Sequence, residues 1–350
     1  MTKTKNILIL FAILFAFSCK KSTNNSQNSD DLTSSVLQSI ALNVCTASYE
    51  DLYSQSLSLQ SAIADLQANP SQQNLIVCKE AWKKVRITWE TSESWLFGPI
   101  STSNIDPRID TWPVDFNEID SVLNSGNVLS EAYVDQLEDA LKGFHPIEYF
   151  LWGQNGNKLY SDITPREYEY LIALSLNLTK LSKEARDSWK NQFASEVSNA
   201  GNSSATYTTQ QQAFVEIVDA MSGICDEVAN GKMNEPFINQ DASLEESPYA
   251  QNSLIDFTNN IKGVLTIYNG DYNGSYIGLE DLVRTYNTSL DLEIKNGVAE
   301  AIAALNTITL PYGQAIFSQA TQIQNAIDKI NALEQILDTK LKPFILQYTK

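Results

Sequence analysis

Histidine is nearly absent: 350 residues contain one, His145. Within a single copy that excludes every zinc site built on two or three His ligands, the H-E-x-x-H hydrolases among them. Methionine is scarce, with three residues, which argues against a Met-rich copper carrier. Basic charge is short too. Lys and Arg number 24 against 42 Asp and Glu, a formal net charge of -18, so nucleic acid is excluded as a partner and so is an electrostatic hold on anionic lipid. Sustained period-two alternation is missing, and with it the signature of a half-buried sheet. No G-x-S-x-G nucleophile motif is present, which leaves serine hydrolases without a start.

What is present is a globular composition, 43% hydrophobic and 19% charged, in a chain long enough for two domains. Lys3 and Lys5 precede an unbroken apolar run from Ile7 to Phe17, too short to span a bilayer but the length of a signal-peptide core. Residues 1–18 are read as a signal peptide. The run ends at Ala16-Phe17-Ser18-Cys19, which resembles a bacterial lipoprotein cleavage site with Cys19 as the lipidated first residue. Residues 19–31, with no apolar residue after the cysteine, are read as a polar tether. The expected location is the cell envelope, with membrane contact through the lipid anchor only. Cys45, Cys78 and Cys225 remain. Cys45 and Cys78 fall on consecutive predicted helices and can pair in an oxidising compartment, or all three stay as buried thiols.

From residue 32 apolar residues recur at helical spacing, as in Leu171, Leu174, Leu178 and Leu181, or Ile316, Ala320, Ile323 and Ile327. The fold class expected is all-α. Breaks such as Asn69-Pro70, Thr164-Pro165, Asn269-Gly270 and Leu310-Pro311 divide the chain into long helices joined by short loops. Helices near 32–67, 71–97, 165–197 and 208–231 predict one four-helix bundle, over 32–235. Helices near 249–268, 277–286, 288–307 and 312–337 predict a second, over 236–350. The segment 98–164 is far longer than a bundle connection and rich in Gly, Pro and Asp, the kind of insertion that carries function.

Five of the six tryptophans, Trp82, Trp89, Trp95, Trp112 and Trp152, fall in or beside that insertion, together with the only histidine. On the preceding helix, Trp82, Arg86, Glu90 and Glu93 share one face, either as a functional surface or as an Arg86–Glu90 surface pair of little energetic weight. Asp106, Asp110 and Asp115 are spaced too irregularly for a helix and read as loop carboxylates, caps or ligands. In Gly143-Phe-His145-Pro146-Ile-Glu148, Pro146 suits the first position of a helix. That places His145 at the cap and Glu148 in the first turn, a variant capping box. The same positive helix end disfavours imidazolium and so also suits a neutral His145 that binds metal beside Glu148. With carboxylates from Glu93 or Asp110 the donors are mostly oxygen, which suits iron, manganese, calcium or zinc rather than copper.

In order along the chain, Trp82-x3-Arg86-x6-Glu93-x3-Phe97-Gly98-Pro99, Ile109-Asp110-x-Trp112-Pro113-x-Asp115 and Gly143-x-His145-x2-Glu148-Tyr149-x2-Trp152-Gly153 resemble the successive motifs of the imelysin-like family, peptidase family M75. Glu246-Ser247-Pro-Tyr-Ala-x2-Ser253-x2-Asp256-x3-Asn260-Ile261 is similar to its second-domain signature, and the resemblance runs from about 35 to 345. It implies two helical bundles with G-x-H-x-x-E at a shared cleft, in exported bacterial envelope proteins associated with iron uptake or regulation and labelled metallopeptidases. The family's motif positions carry over onto Gly143, His145 and Glu148, and its acidic and tryptophan positions onto Glu93, Asp110 and Trp112. The segments bearing Asp106 and Asp115 align loosely, which leaves both outside the expected site.

The resulting expectation is a metal centre of His145, Glu148 and Asp110, lined by Trp82, Arg86, Trp112, Gly143 and Trp152. It would hold an iron or zinc ion, or an iron-bearing small ligand. The alternative is a peptidase acting on a peptide substrate, in which Glu93 is the base that activates a metal-bound water. One histidine among acids favours binding.

Overall fold

The computed structural model describes residues 24–350, with side chains from residue 31, and every regular element in that range is helical. Residues 1–18, read as a signal peptide, and Cys19, the expected lipid acceptor, lie outside the described residues. The first helix, α1 (Asn24–Ser39), begins inside the stretch read as a tether. It passes through a π turn at Ile40–Thr46 into α2 (Ala47–Ala68).

Helices α2, α3 (Gln72–Ser92) and α5 (Pro165–Ser188) pack side by side, with α4 (Phe144–Trp152) laid against α3 and α5. The start of α5 follows from its sequence: Pro165 fills the first turn, and Thr164 and Glu167 close a capping box. On the other side α7 (Ser253–Asn269), α9 (Thr288–Leu305) and α10 (Ala320–Ile336) pack in succession, with α8 (Leu279–Tyr286) on α7 and α9. A final helix, α11 (Lys342–Tyr348), follows a π turn at Leu337–Leu341 and has no counterpart in the predicted set.

Helix α6 (Gln210–Asp226), assigned by the sequence to the first bundle, packs on α1 but also on α7, α10 and α11. Ser222 Oγ donates to Asp338 at 2.7 Å, and Asn230 Nδ2 donates to Asn331 at 3.1 Å. The two bundles therefore share α6 instead of separating cleanly after residue 235.

The bundles meet where α3 crosses α7. Gly263 makes that crossing close: a Cβ there would stand 2.2 Å from the carbonyl oxygen of Thr91. Ser94 Oγ then donates to the Asn260 carbonyl at 3.0 Å across the seam. Cys45, Cys78 and Cys225 are buried and free, and burial pushes the Cys78 thiol up to about 12. The alternative of three buried thiols is the one the fold adopts. Among the described residues no helix is long and apolar enough to cross a membrane.

A buried acidic centre where the bundles meet

Arg86 is the hub. Trp82, Val85, Arg86, Trp89 and Glu90 all face inward from α3, so the Arg86–Glu90 pair is wholly buried and not at the surface. The guanidinium contacts Glu90 and Asp110 closely, reaches Glu246 Oε1 at 2.7 Å and stands 3.8 Å from Asp256. Trp89 Nε1 donates to Asp110 Oδ2 at 2.6 Å. Burial alone would raise the Asp110 carboxyl, but Arg86, followed by His145, holds it far below the usual carboxylate range.

Asp110 is not on a loop. Asp106 and Asp110 lie four apart on the short helix Ile105–Asp110, whose first turn tolerates Pro107. Asp115 caps the helix Phe116–Asn124, accepting from Glu118 N at 3.0 Å. The end of the Ile105–Asp110 helix is pressed against the start of α4, because Gly143 has φ +82 and a Cβ there would lie 2.0 Å from the Ile109 carbonyl oxygen.

Gly143, not His145, is the N-cap of α4, and no side chain caps that end. The capping-box reading fails because the helix starts at Phe144, two residues before Pro146, which turns the His145 side chain into the interior. Its Nε2 lies 3.1 Å from Asp110 Oδ1 and 3.9 Å from Glu246 Oε1, with no hydrogen bond of acceptable geometry. Its Nδ1 faces Glu148 Oε2 at 3.4 Å, and Glu148 Oε1 accepts from the Ala250 backbone N–H at 2.7 Å. The helix end does not keep this imidazole neutral. Burial pulls its pKa down, yet the carboxylates of Asp110 beside Nε2 and Glu148 beside Nδ1 override that and lift it to about 9.

A cleft of about 360 Å³ opens beside this centre, lined among others by Glu93, Asp106, Asp110, Trp112, Lys232 and Glu246. Glu93, buried, is tied to Lys232 Nζ at 2.8 Å and accepts from Asn260 Nδ2 at 2.6 Å. Burial and then Glu90 push its carboxyl well up, and burial together with the other acids pushes Asp106 up to about 7. Lys232 is pulled down by burial and raised by Glu246, Glu93, Glu90 and Glu227, ending well above its ordinary value.

Of the expected site residues, His145, Asp110, Glu148, Glu93, Arg86 and Trp112 are brought together. Glu148 stands on the far nitrogen of the imidazole, where it positions the ring instead of sharing Nε2 with Asp110. Trp82 and Trp152 do not line the cleft: they meet edge to face with centroids 5.2 Å apart between α3 and α4, and Trp82 Nε1 donates to the Phe144 carbonyl at 3.0 Å. Gly143 is likewise a packing position. Sequence reasoning missed Glu246 and Lys232 as members of the site. Glu246 carried a signal, since it opens the second-half signature; Lys232 carried none.

Among the described residues two sets of donors converge closely enough to hold a cation, Asp110–His145–Glu246 and Glu90–Glu93–Asp110, each with its ligand atoms within 4.8 Å of one another. The first fits a metal better, because the buried His145 Nε2 has no hydrogen-bond partner. Around it, Glu90, Glu93, Asp110, Glu148, Glu246 and Asp256 outnumber Arg86, Lys232 and His145.

Fold and site together define an all-helical, double-bundle protein with a buried acidic, single-imidazole centre between its halves. The imelysin family model, peptidase family M75, matches residues 45–339, and the chain belongs to that family. Iron-regulated protein A of Synechococcus elongatus is 28% identical over 244 residues, 68% of this chain and 65% of that protein, so the chain spans just under two thirds of the relative's length. A crystal structure from Parabacteroides distasonis, described as an iron-regulated protein A precursor, superposes with a TM-score of 0.82 at 24% identity, covering 89% of this chain and 95% of that one. An imelysin-like protein from Psychrobacter arcticum 273-4 superposes with a TM-score of 0.73 at 14% identity, over 90% and 96%. At those identities the structures speak for the fold.

Proposed function

We propose that this protein binds an iron ion at the Asp110, His145 and Glu246 donors, as an exported envelope protein anchored through Cys19 and serving iron uptake or its regulation. The observation that carries the reading is the fully buried His145 Nε2, which faces two carboxylates without a hydrogen bond of acceptable geometry to either. Glu148 accepts from Nδ1 and so leaves Nε2, facing Asp110 and Glu246, as the nitrogen that yields its proton to an incoming ion, the arrangement in which an outer carboxylate sets the tautomer of a ligating histidine. Arg86 fixes both carboxylates in place. A bound cation would supply positive charge to a centre where acids exceed bases. The relatives named for iron regulation support iron over zinc.

A peptidase needs a base free to accept a proton. Glu93 is held by Lys232 and Asn260, which favours binding over cleavage. Titration calorimetry of wild type and His145→Asn with ferrous, ferric and zinc ions tests the reading. Affinity should fall at least about tenfold in the variant, as loss of even an outer partner commonly brings. Equal affinities for all three ions overturn the assignment, and peptide cleavage that depends on Glu93 would favour the enzyme.

A further inference from the structure

Lys232 sits on the π turn Glu227–Met233 that follows α6, and such turns re-aim side chains that a regular helix would direct elsewhere. Its ammonium lies 2.8 Å from Glu93 Oε2, 3.5 Å from Glu246 Oε1, 3.6 Å from Glu227 Oε1 and 3.8 Å from Glu90 Oε2. Four carboxylates around one cation is the environment of a bound ion, supplied here by the chain itself. Glu246 Oε1 is the oxygen that also faces His145 Nε2 at 3.9 Å. An incoming ion and the ammonium therefore contend for one atom.

We infer that Lys232 is an internal counter-cation that a polyvalent ion must displace from Glu246, and that it thereby sets the charge class of the ligand: a free cation enters, an anionic chelate does not. The inference rests on the cation-binding reading above. The charge of the cleft supports it. Every other ionisable group on its lining is acidic, and the single ammonium is already surrounded, so an anion would meet carboxylates with no cation left to receive it. A cation meets the reverse: it gains the carboxylates, and on the lining of the cleft only the like charge of Lys232 opposes it, with Arg86 and the His145 imidazolium lying behind Glu246 and Asp110. The wholly buried His145 Nε2, which makes no hydrogen bond although Asp110 and Glu246 face it, is the independent sign that a ligand belongs at the inner end of this path.

The test is calorimetric titration of the full chain with zinc ion and, separately, with the zinc–EDTA anion, for wild type, Lys232→Met and Lys232→Gln. Wild type should bind zinc ion and bind zinc–EDTA at least about a hundredfold more weakly, and both variants should bind zinc ion at least about tenfold more tightly once the like charge is gone. In wild type, the rate at which an amine-acetylating reagent modifies Lys232, read by peptide mass spectrometry, should rise several-fold on adding zinc. That measurement decides the matter if neither variant folds. Zinc affinity unchanged or weakened in folded variants, acetylation not raised by zinc, or zinc–EDTA bound as tightly as zinc each overturns the inference while leaving ion binding intact. A wild type that binds no ion overturns the reading beneath it as well.

Discussion

Arg86 Nη2 and Glu246 Oε1, 160 positions apart in the chain, are 2.7 Å apart in the fold. The contact ties α3 to the segment that leads into α7, so the ion-pair cluster and the seam between the bundles are one structure. Burying charges this deeply is expensive, and a buried pair is poor evidence of net stabilisation. Breaking one is another matter, because the partners stay buried and unpaired.

Arg86→Met is accordingly expected to destabilise the protein by about 3–5 kcal/mol, since Asp110, Glu90 and Glu246 lose their common cation. Arg86→Lys should recover only part of this, as one ammonium cannot copy a planar fork that serves several carboxylates at once. Urea unfolding midpoints measure both, and a wild-type midpoint for Arg86→Met would show that the cluster does not hold the bundles.

Glycine substitutions should separate by sign. Gly143→Ala meets the Ile109 carbonyl at 2.0 Å with φ +82, and Gly263→Ala meets the Thr91 carbonyl at 2.2 Å. Each is expected to destabilise by about 2 kcal/mol or more, because backbone cannot yield as a flexible side chain does. Gly223, inside α6 with nothing within 4 Å of its absent Cβ, should instead gain about 0.5–1 kcal/mol as Ala. Thermal melts of the three variants suffice. Equal losses at all three would contradict the close approaches.

Much of this was legible in the sequence, for physical reasons that differ residue by residue. The long helices follow from apolar spacing and from breaks such as Thr164-Pro165, both local signals. His145, Asp110 and Glu93 could be picked out because an isolated imidazole among acids is chemically conspicuous. Glu246 and Lys232 could not be placed, because their role depends on α6 and α7 folding back onto α3. The Asp106 and Asp110 pair was misjudged because a six-residue helix shows too little periodicity to be read. A helix start at Pro146 implies a capping, neutral His145; the start at Phe144 turns the ring inward, where Glu148 of the same turn and Asp110 from the Ile105–Asp110 helix hold its proton.

Glu148→Gln separates positioning from ligation. The amide keeps the volume and can still accept from the Ala250 N–H, so stability should change little. Without a carboxylate on Nδ1 the tautomer and basicity of His145 are no longer fixed, and ion affinity is expected to fall about 10–100-fold. Calorimetry reads this directly; affinity at the wild-type level would remove Glu148 from the site.

His145 offers a probe no other residue can, because a chain with one histidine gives one imidazole signal. In protein stripped of metal, its NMR titration should have a midpoint near 9 and not the ordinary 6.5. Asp110 and Glu148 hold the proton, with Glu246 nearby and Arg86 opposing. Because the folded-state value is raised, the stability this group contributes is complete below pH 6.5 and is lost as pH rises through 9, by at most about 3 kcal/mol. The neighbouring Glu93 and Glu148, whose carboxyls are also raised, weaken the fold in the same direction as they ionise. His145→Asn, which has no proton to lose, should show a shallower decline over that range. Zinc added at pH 7.5 should displace the proton into the medium, visible with a pH indicator, since metal and proton compete for Nε2. A midpoint near 6.5, with no proton released by zinc, would mean that the carboxylates do not act on this imidazole and that the centre is not built as described.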